Sequence, residues 1–362
     1  MIGYYVHHVG HGHLSRATAI AAELADEVTG LSSLERPLSW RGDWVTLPRD
    51  NSLPASDPAP PGSRAVERDI DAGGRLHWVP LHDEGLRDRM ARVAAWIAAT
   101  RPTVIVSDVS VEIALLARLH GVPVVTIALP GSRDDEAHRL GFAVSSAIVS
   151  AWPAEAHGML SGLDVDARAK HVAVGAISRF PPREDDVADA AGVEGSERRP
   201  RVLVLGGAAG GLRPETLHRA RARTPDWDWD QVGGVGGRWV DDPWPLIRHA
   251  DVVVTHAGQN AIAEVAAARK PAVVVPEPRP HEEQSHTAAV LTDVRWPAIV
   301  VTHAEHADWP ALLSAALDQD GDGWSAWNTG SGAARAAAVI AEVAGTAEGA
   351  PVTAVAAPSD SR

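Results

Sequence analysis

The stretch THAGQNAIAEVAAARKPAVVVPEPRPHEEQ, residues 255–284, reads as the end of one strand, a helix and a second strand. The run ADVVV leads into Thr255 and His256, Ala257 and Gly258 make a small turn, a helix starts near Gln259, and PAVVVPEP returns as a strand. A strand-to-helix turn of this kind aims free backbone N–H groups and the positive end of the helix at whatever lies above it, which suits a diphosphate. Gly258 lets such a ligand approach the backbone closely. His256 and Asn260 can add side-chain donors. Glu264 follows Asn260 by one helical turn, so the two can face one ligand, one on phosphate and the other on a ribose diol. Glu283 and Gln284 come after the second strand and can exchange hydrogen bonds with sugar hydroxyls. The bland alternative is an ordinary capped helix start.

Outward from this segment, β-prone apolar runs alternate with helical stretches in two blocks. In the first, IGYYVHH is a strand and LSRATAIAAELADE a helix; a helix near 84–99, the strand TVIVSD (103–108), the helix SVEIALLARLHG, the strand VPVVTIAL (122–129) and a closing strand SAIVSA follow. The second block opens with RVLVLGG (201–207) and continues through 255–284. Strands and helices with short links predict an α/β architecture of two doubly wound, Rossmann-like parallel-sheet domains facing a central cleft. The expected boundaries are 1–180 for the first domain, 181–200 for a polar Pro/Gly-rich linker, 201–330 for the second domain, 331–345 for a closing helix and 346–362 for a disordered tail. DNSLPASDPAPPGSR, 50–64, reads as a mobile loop.

Composition narrows the function. At 362 residues with 45% hydrophobic and 22% charged residues, the chain is an ordinary globular sequence long enough for two cores. A formal net charge of -14 argues against a nucleic-acid partner, because phosphate backbones need clustered cations. Cysteine is absent, which removes disulfides, thiolate metal sites and cysteine nucleophiles. No segment approaches the roughly 18 apolar residues that span a bilayer, and the N-terminus does not read as a secretion signal. A cytoplasmic location is expected.

A second stretch, HHVGHGHLSR at 7–16, holds four histidines. A metal reading fails on two counts: adjacent strand residues such as His7 and His8 point to opposite faces, and no cysteine or nearby carboxylate completes a set with His11 and His13. A dinucleotide loop is also weak, since the stretch offers only Gly10 and Gly12. What remains is a glycine loop delivering His13 to the start of the first helix, where an imidazole is suited to general base work. Asp108 ends TVIVSD on the same sheet edge and can orient that imidazole; alternatively it caps the following helix. His7, His8 and His11 are expected to pack or bond within the loop. Arg16 either meets a phosphate across the cleft or is a solvated or salt-bridged helix residue.

Residues 255–284 resemble the donor-binding signature of the GT-B glycosyltransferases, and GHGHLSRA with GGAAGG (206–211) is similar to glycine turns of glycosyltransferase family 28, which includes the lipid-linked N-acetylglucosaminyl transferase of peptidoglycan synthesis. The resemblance implies His256 and Asn260 on the diphosphate, Ala257, Gly258 and Gln259 in the turn beneath it, Glu264 on the ribose, and Glu283 with Gln284 on the transferred sugar. It further implies that Gly10, Gly12, Gly206 and Gly207 form loops against the donor and that His13, with Asp108, is the base. Arg269 where the family often has Gly, and Ala261 where it often has Ser or Thr, are departures. The base-stacking position falls in 238–244, with Trp239 and Trp244 both near it. The implied activity is inverting, metal-independent transfer from a nucleoside-diphosphate sugar, UDP foremost, to a hydroxyl of a small-molecule, glycan or lipid-linked acceptor. No cofactor is called for, and a lipid-linked acceptor would require no more than weak peripheral membrane contact. A nucleotide-sugar hydrolase or epimerase would keep the same donor signature, and a non-catalytic accessory subunit would keep the fold.

Overall fold

The strand-forming runs are buried along nearly their whole length, the pattern that parallel strands show when helices cover both faces. The computed structural model describes residues 1–9, 11–50, 69–183, 198–207 and 210–349. In chain order the first block comprises β1 (Ile2–Val6), α1 (His11–Glu23), β2 (Val28–Ser32), β3 (Trp44–Thr46), α2 (Glu84–Thr100), β4 (Val104–Asp108), α3 (Val111–Leu119), β5 (Val124–Ala128), β6 (Gly131–Ser132), α4 (Glu136–Val144), β7 (Ala147–Ser150), β8 (Leu160–Ser161), α5 (Val165–Ala169) and β9 (His171–Ala173). The second comprises β10 (Arg201–Leu205), α6 (Pro214–Arg223), β11 (Asp228–Val232), α7 (Trp244–His249), β12 (Val252–Thr255), α8 (Gln259–Ala267), β13 (Ala272–Val274), α9 (Glu283–Leu291), β14 (Ala298–Val300), α10 (Trp309–Leu317) and α11 (Gly332–Gly349).

Seven strands form one sheet in the order β3-β2-β1-β4-β5-β7-β9, and five form a second in the order β11-β10-β12-β13-β14; β6 and β8 make a small separate ladder. All the pairings are parallel. The register pairs Val6 with Asp108, so the chain leaving β1 toward α1 and the last residue of β4 emerge side by side at one sheet edge. Alternation along the strands divides each domain's core in two. Ile2, Tyr4 and Val6 face one layer, and Tyr5 and Ile105 face the other with Val93 and Ile97 of α2. In the second sheet Val202, Val204 and Val252 pack with Trp309 and Leu313, while Leu203, Val253 and Val274 pack with Ile262 and Val265 of α8.

Several expectations are corrected. The helix after β1 begins at His11, so His11, Gly12 and His13 form its first turn instead of a loop. His7 lies beyond the end of β1, so strand alternation does not apply there, and its ring stacks on that of His8 with centroids 5.1 Å apart. SAIVSA does not close the first sheet: β9 adds an edge strand beside β7, too short and too exposed to show a period. β2 and β3 escaped the sequence reading; β3 is a three-residue strand. Helix α11 runs through Gly349, into the segment expected to be disordered, because the Ala-rich sequence keeps favouring helix. Its residues Ala336, Ala337, Ile340 and Ala344 pack in the first domain's core with Ala17 and Ile20 of α1, so the end of the chain returns to the domain with which it began. Most of the expected linker (184–197), most of the mobile loop (51–64) and tail residues 350–362 lie outside the described residues.

Candidate functional site

Parallel strands deliver their C-terminal ends, and the turns that follow them, to the same side of each sheet. The two such edges face each other across a cleft of about 600 Å³, the kind of crevice where ligands bind in open α/β folds. From the first domain come Gly12, His13 and Arg16 of α1; from the second come Gly206, Gly207, Trp239, the 256–261 turn, Glu264, Glu283 and Gln284. Gly10 lies outside the described residues.

His13 Nδ1 is 2.8 Å from Asp108 Oδ1. Asp108 is fully buried and does not cap α3; Ser110 does, accepting from the Ile113 N–H at 3.2 Å. With Asp108 ionised, Nδ1 carries the proton and donates it to the carboxylate, which leaves the Nε2 lone pair free. Burial alone would push the Asp108 carboxyl up, but Arg16 and then His13 outweigh it and hold the group down at about 2. Arg16 is the partner that sequence could not choose: Nη2 donates to Asp108 Oδ1 at 2.6 Å and Nε to Oδ2 at 3.2 Å. Its Nη1 donates to Gln259 Oε1 at 3.1 Å, and Gln259 Nε2 in turn donates to the Ala151 carbonyl at 3.1 Å. The salt bridge expected as one alternative for Arg16 is thus present, on a residue that also lines the cleft. The Gln259 side chain is spent joining the domains, which leaves its backbone N–H for a ligand. His7 packs edge-on to His13 with centroids 5.6 Å apart, and burial followed by the neighbouring His13 and His8 lowers it to about 4. His8 lies 3.5 Å from Asp50.

Opposite this group stands the N-terminus of α8. Gly258 is its N-cap, without a side-chain cap, and no acidic residue occupies the first turn, so its positive end faces the cleft uncompensated. His256 Nδ1 accepts from the Gly258 N–H at 2.9 Å, which puts the ring proton on Nε2, on the side of Gly207. Burial lowers the His256 pKa, which keeps the ring a neutral donor. A Cβ on Gly258 would overlap the His256 ring, and a Cβ on Gly12 would overlap Asn260 Nδ2, so both glycines permit close approaches around the anion position.

Glu264 pairs with Arg179 at 2.9 Å; burial raises its pKa and Arg179 works against that. Glu283 accepts from Arg133 at 2.7 Å, an ion pair between the domains. Gln284 is buried and its Oε1 accepts from the Ala257 and Glu277 N–H groups at 3.1 and 2.9 Å, so its carbonyl braces the turn and leaves only its amide for a ligand. Trp244 stacks on Phe180 with centroids 4.8 Å apart, whereas Trp239 is 62% exposed and lines the cleft. Three residues escaped the sequence reading. Arg179 and Arg279 both line the cleft, and Glu277 accepts from the Gly211 N–H while pairing with Arg279 at 2.9 Å. The basic and acidic residues in PEPRPHEEQ were the available signal for the last two.

Two parallel-sheet domains facing across such a cleft define the class: the chain has the GT-B fold. Over 94% of this chain it superposes on 98% of the glycosyltransferase of kitacinnamycin (TM-score 0.64, 17% identity), and over 95% on 99% of the glycosyltransferase VinC in complex with dTDP (TM-score 0.62, 14% identity). Residues 238–319 match the family described as glycosyltransferase family 28 C-terminal domain. It is 31% identical over 178 residues to a UDP-N-acetylglucosamine–N-acetylmuramyl-(pentapeptide) pyrophosphoryl-undecaprenol N-acetylglucosamine transferase of Nitratidesulfovibrio vulgaris (strain DP4), covering 39% of this chain and 48% of that protein. The chain thus spans about half the length of the curated relatives it matches. Among the described residues, no helix is long and apolar enough to cross a membrane.

Proposed function

We propose that this protein is a glycosyltransferase that moves a sugar from a nucleoside-diphosphate sugar, UDP foremost, to an acceptor hydroxyl with inversion and without a metal ion in the reaction. The observation that carries this is the His13–Asp108 pair on one wall of the cleft, facing the uncapped start of α8 on the other. His13 Nε2 takes the acceptor's hydroxyl proton while Asp108 holds the opposite ring nitrogen and stabilises the imidazolium that forms. The acceptor oxygen bonds to the anomeric carbon as the bond to the diphosphate breaks, through an oxocarbenium-like state. Charge growing on the leaving diphosphate meets the α8 N–H groups and the His256 Nε2–H, donors already fixed in place, with Asn260 beside them. Trp239 contacts the base, Glu264 the ribose, and Glu283 with the Gln284 amide the transferred sugar. The cysteine-free composition suits a cytoplasmic setting. The relative named for a lipid-linked substrate and the solved structure holding dTDP support the donor class and leave the acceptor open.

Thermal stability in the presence of UDP, dTDP and their sugar conjugates tests the reading. A ligand at about 100 times its Kd adds about 2.7 kcal/mol of stability. Sugar transfer by the stabilising conjugate should then require an acceptor and should collapse in His13→Ala. No response to any nucleoside diphosphate, or unchanged turnover in His13→Ala, overturns it. Release of free sugar with no acceptor present identifies a hydrolase instead.

A further inference from the structure

Three imidazoles and a carboxylate from three separated segments converge beside the cleft. His77 precedes α2, Asp135 and His138 cap and begin α4, and His281 sits in the turn before α9, in the other domain. One ligand atom from each lies within 4.8 Å of every other. His77 Nε2 is 3.2 Å from His138 Nδ1, His138 Nδ1 is 2.5 Å from Asp135 Oδ2, and His281 Nδ1 is 3.7 Å from that same oxygen. A tetrahedral zinc with bonds of about 2.0–2.1 Å sets its ligand atoms roughly 3.3 Å apart, so small side-chain shifts bring this set to coordination distance.

Two further observations support a cation there. A single proton on His138 Nδ1 cannot serve both Asp135 and His77, whereas a divalent ion satisfies all the converging lone pairs at once. His281 and Glu282 both adopt left-handed backbone, with φ of 55° and 57°, a conformation that non-glycine residues adopt only at a cost. That strained turn docks on the first domain, since a Cβ on Gly131 would overlap the His281 carbonyl, and it carries the His281 ring to the other three. The ligands are also anchored from behind. The His77 N–H donates to Glu112 at 2.8 Å, and Asp135 Oδ1 caps α4 through the His138 N–H at 2.9 Å, which leaves Oδ2 for an ion.

We propose that His77, Asp135, His138 and His281 form a closed, structural site for a divalent transition-metal ion, zinc foremost, that staples the two domains together at one end of the cleft. Three imidazoles and a carboxylate suit zinc, and four protein ligands leave no open position for chemistry, so the ion stays apart from the transfer reaction. It would nevertheless reach the cleft. Arg133 Nη1 is 3.1 Å from His138 Nε2, and its Nη2 donates to Glu283, two residues after His281. Ligation through Nδ1 leaves the ring proton on Nε2, so loading releases Arg133 Nη1 from His138 and alters how Glu283 is held.

The test uses the full chain stripped with a chelator and titrated with Zn²⁺ against a chromophoric competitor, and separately with Co²⁺. One ion per chain is expected, and bound Co²⁺ should show the intense visible absorption of a tetrahedral site. His281→Ala and His77→Ala should each weaken binding by more than about tenfold, since loss of even an outer partner of a metal ligand costs that much. His303→Ala, an exposed histidine elsewhere, should bind as the parent chain does. No stoichiometric binding, a six-coordinate Co²⁺ spectrum, or binding that survives in both His77→Ala and His281→Ala overturns the proposal. The Co²⁺ spectrum of the parent chain needs no variant, so a folding failure in one cannot hide the answer.

Discussion

Asp108 receives the Arg16 guanidinium and the His13 ring on one carboxylate, and its substitution separates their roles. In Asp108→Asn an amide N–H directed at His13 Nδ1 favours the opposite tautomer, with the proton on Nε2 where the lone pair is needed. Turnover should fall by about 10³–10⁴-fold with far less change in donor affinity, measured as kcat against KM, because comparable tautomer errors in histidine–carboxylate pairs cost that much. The same change strips buried Arg16 of its counter-charge, so stability should drop by about 3–5 kcal/mol in urea unfolding. A second residue-scale prediction concerns Gly12. The atom a new methyl would meet is the end of the Asn260 side chain, which can swing away, so Gly12→Ala should raise KM for the donor several-fold while the unfolding midpoint hardly moves. A loss of fold in this variant would show that the approach of α1 to α8 is rigid. His13 and Asp108 were legible in the sequence because Asp108 ends a strand and His13 lies in the first turn of the helix that follows one. The choice between phosphate and ion pair for Arg16 was not, because its partners are 92 and 243 positions away.

At the scale of elements, two helices differ in how far their roles could be read locally. Helix α8 offers an uncapped start, and its glycine N-cap and small first turn are local features, readable from HAGQN. Helix α11 is different: its apolar stripe was readable, but the surface it covers was not. Ile340 is fully buried against the first domain's core. Ile340→Ala should cost about 2–5 kcal/mol by leaving a cavity, a loss read in chemical unfolding. Hydrogen exchange should rise in α1 and β4, which α11 covers, and an increase confined to the second domain would contradict the packing described.

For the whole molecule, acid should act in two stages. His7 titrates near 6.5 when unfolded and at about 4 in the fold, so between those values the unfolded chain binds more protons than the native one. Its contribution is complete above pH 6.5 and is lost as pH falls toward 4. Asp108 follows: its contribution is present above its ordinary value of 3.8 and disappears as pH falls to about 2, with a magnitude on the order of 2 kcal/mol. The urea midpoint should therefore decline from pH 6.5 downward, and His7→Asn should reduce the upper stage without removing it, because burial also lowers His138, to about 3. A midpoint that stays level from pH 7 to 4 would refute the burial of a neutral His7.

Within single segments, the sequence determined the strand and helix of βα units such as β1–α1, β4–α3 and β12–α8, the turn that presents His256 and Gly258, and the sheet edge on which His13 and Asp108 meet, because hydrophobic period and turn chemistry act over a few residues. The tertiary structure alone decided the Arg16–Asp108–Gln259 linkage, the return of α11 to the first domain, and the meeting of His77, Asp135, His138 and His281. The order of strands in a sheet and the facing of two domains set those distances, and no local pattern encodes which distant side chains share a point in space.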